Sequence, residues 1–107
     1  MDHNEKRIDQ EDCHEDILGS GILTLTNKRV VFDKTHGRII DFSKKFGETV
    51  IDISLKQIND VWKEGMFIKK ICISTNDGNV EKTYKFGVFS NGKWLKSIQK
   101  AIMDHNS

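Results

Sequence analysis

The stretch Gly21-Ile22-Leu23-Thr24-Leu25-Thr26-Asn27-Lys28-Arg29-Val30-Val31-Phe32 reads as two strands folded back across a polar turn. Leu23 and Leu25 alternate with Thr24 and Thr26, and Val30 and Phe32 alternate with Arg29 and Val31. That is the period of two expected when one face of a strand is buried. Thr26 to Arg29 supply the turn. Leu23, Leu25, Val30 and Phe32 are therefore the expected core-builders of this hairpin, with Lys28 and Arg29 at its tip.

Downstream the same period recurs. Asp33 to Gly37 is a turn by composition, Arg38 to Phe42 a short strand, and Ser43 to Glu48 a charged loop with Phe46 as its apolar member. Ile51, Ile53 and Leu55 share a face over Thr49 to Leu55. A strand over Ile58 to Glu64 ends at Gly65, and Met66 to Thr75 forms the next arm with Ile71 and Ile73 inward. Asn76-Asp77-Gly78-Asn79 is a tight-turn signal. Val80 to Phe89 then returns with Tyr84, Phe86 and Val88 on one face.

The period changes at the end of the chain. Trp94, Leu95, Ile98, Ala101 and Ile102 form one apolar stripe of an α-helix, with Lys93, Lys96, Gln99 and Lys100 opposite and Ser90 or Asn91 placed to cap it. Trp94 and Leu95 are expected to plug the end of the strand assembly that this helix closes. Upstream of the hairpin, residues 1–16 carry seven acids against Lys6 and Arg7, leaving 15 basic and nine acidic residues in the remainder. With Ile8 and Cys13 its only apolar residues beyond Met1, this segment reads as an acidic mobile leader or a loosely docked helix. It serves either to screen a basic surface or to keep the chain soluble. The expected organisation is leader 1–16, one domain over 17–103 and a polar tail 104–107.

Length and composition bound the function. A chain of 107 residues with 36% hydrophobic and 31% charged residues holds one globular domain. No apolar run approaches the ~20 residues of a membrane span, which places the protein in the cytoplasm by default. Cys13 and Cys72 stand alone and are expected to be reduced. Cys13-His14 lies among carboxylates without the paired spacing of a zinc site, and neither a nucleophile elbow, a phosphate loop nor His-Glu-x-x-His is present. The reading is a non-enzymatic protein with no cofactor and no metal. A formal net charge of +1 also falls short of the basic footprint of nucleic-acid binding.

The Gly-x-Leu-x-Leu-Thr-Asn-Lys-Arg-Val-Val-Phe hairpin, the Ile51-x-Ile53-x-Leu55-x-x-Ile58-x-x-Val61 run, the Tyr84-x-Phe86 strand and the helix opening with Trp94 come in an order that resembles GRAM domains and the related prokaryotic members of the pleckstrin-homology (PH) superfamily. The resemblance implies a mainly β fold: a strongly bent antiparallel sheet or barrel of six to seven strands, closed by one C-terminal amphipathic helix. Family barrels usually place a strand ahead of this hairpin. Here the leader either pairs as a weak edge strand, or the barrel is abbreviated.

What the resemblance implies about role is a binding or adaptor module that docks a protein or peptide partner, with sheet-edge pairing as a natural mode. The alternative is a peripheral membrane module for anionic lipid, similar to the GLUE domains of the ESCRT machinery. The candidate residues are Lys44, Lys45 and Phe46, a cationic loop with an apolar tip suited to an anionic surface. Trp62 is a candidate partner anchor if it faces outward. Lys28 and Arg29 are the cations of the hairpin tip. Against these stand the simpler readings of solvated lysines, and of aromatics packed on the barrel.

Overall fold

The computed structural model describes residues 4–34, 49–66 and 69–106. Along the chain run β1 (Arg7–Glu15), β2 (Gly19–Thr26), β3 (Arg29–Lys34), β4 (Thr49–Ser54), a 3₁₀ turn (Leu55–Gln57), β5 (Ile58–Glu64), β6 (Lys70–Asp77), β7 (Val80–Val88) and α1 (Asn91–His105). The strands form a 7-stranded antiparallel sheet in the order β4-β3-β2-β1-β7-β6-β5, so β4 and β5 are its edges. The expected strand over 38–42 and loop over 43–48 lie outside the described residues.

The opening hairpin folds as its alternation requires. Leu23 lies opposite Phe32 and Leu25 opposite Val30, and all four side chains are buried. They join Ile51, Ile53, Val61, Ile71, Ile73 and Phe86 in one core. Phe32 and Phe86 meet there with ring centroids 5.9 Å apart. Gly21 is needed because a Cβ at this position would come within 2.5 Å of both the Phe32 ring and the Asp33 carbonyl.

The β6–β7 turn is tighter than the four-residue signal suggests. Asp77 pairs with Val80, leaving Gly78 and Asn79 as a two-residue loop. Gly78 takes φ +67°, the left-handed conformation that the first position of such a hairpin turn demands.

α1 closes one side of the sheet, packing on β5, β6, β1 and the 3₁₀ turn. Trp94 is completely buried with Ile98 and Ala101, while Leu95 and Ile102 pack at the margin. Trp94 is thus the plug that its helical position predicts.

The acidic leader is where sequence and structure part. Residues 7–15, read above as part of a mobile segment, form β1 in the middle of the sheet, paired with β2 on one side and β7 on the other. The ordered sheet therefore begins ahead of residue 17. An alternation search misses this strand because Cys13 is the one apolar residue on its inward face, the others being Asp9, Glu11 and Glu15. Glu11 and Glu15 find donors that offset their burial, while the buried Oδ2 of Asp9 has no hydrogen-bond partner and faces the Lys93 ammonium at 3.6 Å. Glu15 accepts from the backbone N–H of Ile17 at 2.9 Å and of Leu18 at 2.6 Å. Glu11 reaches the entry of α1.

Candidate functional site

The hairpin tip is a closed polar clamp. Thr26 Oγ1 accepts from the backbone N–H groups of Lys28 and Arg29, both at 3.0 Å, and donates to Glu5 Oε2 at 2.7 Å. The Arg29 guanidinium donates to both oxygens of buried Glu5, at 2.8 and 3.2 Å, and to Asp52 Oδ2 on β4 at 2.7 Å. The arginine holds the Glu5 carboxyl below the usual carboxylate range, against the opposing effect of burial, and Glu5 in turn raises the guanidinium. Arg29, a candidate ligand-binding cation by sequence, is engaged by Glu5 and Asp52 of its own chain, with its side chain 38% exposed. Lys28 is half-buried and lines a cleft of about 340 Å³ with Ile8, Asn27, Ala101, Asp104 and His105.

Trp62 resolves differently. Val61 is buried in the core, so Trp62 takes the outer face of β5, half-exposed and opposite Cys72 on β6. The residues two places either side of Trp62 on that face are Asp60 and Glu64, both exposed. Asp60 Oδ1 accepts from the Val61 backbone N–H at 2.9 Å. Glu64 pairs with Lys85 on β7 at 2.7 Å, and that ammonium, with the Trp62 indole adding to it, holds the Glu64 carboxyl below its ordinary value. Lys70 and Asp16 form a further ion pair. This acid–tryptophan–acid row lies on an edge strand, whose outer side carries no neighbouring strand among the described residues.

A third place is where the β1–β2 turn, β4 and the β6–β7 hairpin converge. Two clefts there, of about 340 and 270 Å³, share Lys82 and Tyr84. Lys82 Nζ lies 5.5 Å from the Tyr84 ring centroid. Ile17, 89% exposed, stands on the rim. Among the described lining residues Lys82 is the single cation, against Glu15 and Asp52.

Neither thiol is poised for chemistry. Burial pushes Cys13 up to about 12 and raises Cys72 as well. Among the described residues no three His, Cys, Asp or Glu side chains gather as a metal site. Lys44, Lys45 and Phe46 lie outside the described residues, so Lys28, Arg29 and Trp62 are the sequence candidates with a described position, and these three do not converge on one site. Sequence reading passed over Asp60 and Glu64, whose visible signal was their spacing of two on either side of Trp62.

This architecture, an antiparallel sheet of seven strands closed by a C-terminal helix, is a PH-like fold. Among solved structures the chain is similar to a Vps36 N-terminal PH domain, with TM-score 0.70 and 14% identity over 97% of this chain and 83% of that one. It is also similar to a PH domain from TgAPH, with TM-score 0.52 and 19% identity over 91% of this chain and 80% of that one. At such identities the likeness is one of fold. No family model and no curated protein matches the sequence. No described helix is long and apolar enough to cross a membrane.

Proposed function

We propose that the chain is a non-catalytic binding module of the GRAM type, in its prokaryotic form, that works in the cytoplasm by docking a protein or peptide partner on the free edge of β5. The observation that carries this reading is the half-exposed Trp62 on the outer face of an edge strand, between exposed Asp60 and Glu64. An extended segment laid along β5 gains main-chain hydrogen bonds from the strand. Trp62 supplies the large apolar contact that anchors such a partner. Asp60 and Glu64 favour a segment with basic side chains at alternate positions, since opposite charges across a strand pair attract. Further support comes from the PH-like fold and from the Leu25-Thr26-Asn27-Lys28-Arg29 turn of the first hairpin.

Selection from a displayed peptide library, followed by affinity measurement on the full chain, tests the reading. Binders should be extended, basic at alternate positions, and weakened about tenfold or more by Trp62→Ala. Peptides that bind the Trp62→Ala protein equally well, or whose amide shift perturbations map away from β5, would sink it. The anionic-lipid alternative assigned to Lys44, Lys45 and Phe46 concerns residues outside those described, and the cleft at the β1–β2 turn sets Lys82 against two carboxylates.

A further inference from the structure

The outer face of α1 carries a second surface, which does not depend on the β5 reading. Because Trp94, Ile98 and Ala101 point into the core, Lys93, Lys96, Lys100 and Met103 fall along the solvent side at i, i+3, i+7 and i+10. This stripe is about 15 Å long at the helical rise per residue. Lys56, exposed on the 3₁₀ turn packed beside α1, extends the basic surface. So does Lys63 on β5, whose ammonium stands 3.8 Å from the place a Cβ at Gly92 would occupy.

Few acids offset these charges. Lys93 lies 3.6 Å from Asp9 Oδ2, beyond hydrogen-bonding distance, and Lys100 pairs with Asp104 on its own helix at 3.2 Å. Lys56, Lys63 and Lys96 make no ion pair among the described residues.

Two bare apolar side chains stand at the ends of the helix. Phe89, in the turn that enters α1, is 95% exposed, and Met103, in the last turn, is 70% exposed. A lone exposed phenylalanine is unremarkable, but here it adjoins a face of five lysines, for which Asp9, Asp104 and the inward-turned Glu11 are the neighbouring acids among the described residues. An acidic protein partner would need a shaped pocket for each apolar end. A bilayer needs none, since its interface takes up aromatic and thioether side chains wherever they meet it while its headgroups face the lysines.

We propose that the α1 face docks on an anionic membrane surface, with Lys56, Lys63, Lys93, Lys96 and Lys100 against the headgroups and Phe89 entering the interfacial layer. The attachment is electrostatic and therefore weakens with salt. It leaves the outer face of β5, where Trp62 lies, on a different side of the strand from Lys63.

Co-sedimentation of the full chain with phosphatidylserine–phosphatidylcholine vesicles at low salt, against phosphatidylcholine alone, tests this. The chain should sediment with the anionic vesicles only, and raising the salt should release it. Lys93→Glu with Lys96→Glu and Lys100→Glu should lower the vesicle partition coefficient about tenfold or more. Phe89→Ser should lower it several-fold, with unchanged thermal melting in each case. If the triple variant does not fold, Lys56→Glu with Lys96→Glu and Phe89→Ser carry the same test at positions that make no ion pair among the described residues. Three results would overturn the proposal: no sedimentation with anionic vesicles, undiminished partitioning of the folded α1 variants, or loss confined to Lys44→Glu with Lys45→Glu.

Discussion

Glu11, in the first strand, accepts a hydrogen bond from the Trp94 indole Nε1 at 3.1 Å, joining residues 83 positions apart. The same carboxylate accepts from the Ser90 backbone N–H at 3.0 Å, at the N-terminus of α1. Ser90 occupies the N-cap position, yet its own side chain makes no capping bond. A carboxylate from β1 therefore satisfies the helix end and sits where the helix dipole favours negative charge. It also fixes the indole that plugs the core.

Replacing Glu11 should consequently loosen helix and sheet together. Glu11→Ala leaves a buried indole N–H and a helix N–H without their acceptor, a loss of about 1–3 kcal/mol. Thermal unfolding followed by far-ultraviolet circular dichroism should show the drop. Unchanged stability would mean that water replaces the carboxylate without cost.

Acid should act through the same group and through Glu5. Burial pushes the Glu11 carboxyl up, but the Ser90 N–H and Trp94 outweigh it and leave the folded value below 4.5, the ordinary value. Glu5 is likewise held below 4.5, by Arg29 above all. A folded pKa that is depressed means that the unfolded chain binds the proton more readily. The stability these groups contribute is thus fully present above the ordinary carboxylate value and is lost as pH falls through the folded values. Denaturant midpoints measured across the acid range should fall in the wild type and flatten in Glu5→Gln with Glu11→Gln.

The clamp at the hairpin tip can be tested by a double-mutant cycle. Arg29→Met leaves the Glu5 carboxylate buried without its principal partner, whereas Glu5→Gln with Arg29→Met removes both charges. The single change should destabilise by about 1–3 kcal/mol, and the pair should recover part of that loss. Strict additivity would show that Glu5 and Arg29 do not interact.

Gly21→Ala should cost about 1–3 kcal/mol by overpacking, because the new methyl meets the Phe32 ring and the Asp33 carbonyl at 2.5 Å. Gly19→Ala makes a useful contrast. It has open space around it, but φ +87° strains any side chain, so its cost is one of backbone conformation alone.

Both thiols should resist alkylation in the native state. Cys13 and Cys72 are buried, and burial raises both above the ordinary thiol value, Cys13 to about 12. Thiolate, the reactive form, is therefore scarce at neutral pH. Labelling with iodoacetamide should be slow for the folded protein and rapid in denaturant. Fast native labelling would place at least one cysteine in an open environment.

Much of the fold was legible wherever burial follows from a local period. Leu23, Leu25, Val30 and Phe32 alternate as a strand face, and Trp94, Ile98 and Ala101 repeat as a helix face, and all seven are buried where that pattern puts them. The candidate site was less legible. Strand parity could not say whether Val61 or Trp62 faces inward, since both are apolar; the packing of Val61 into the core settles it. Arg29 looked like a free cation because its partners, Glu5 and Asp52, lie 24 and 23 residues away.

By itself, then, the sequence determined the elements whose side chains sort by hydrophobicity: the first hairpin, the turn at Gly78 and the closing helix. A strand made of Asp9, Glu11, Cys13 and Glu15 on its inward face has no such signature. Burying a carboxylate is unfavourable until a donor arrives to offset its lost hydration. For Glu11 that donor is Trp94, from the other end of the chain, and for Glu5 it is Arg29, across a strand. Only the tertiary structure brings those groups together, so it alone decided that the acidic start of the chain is part of the sheet.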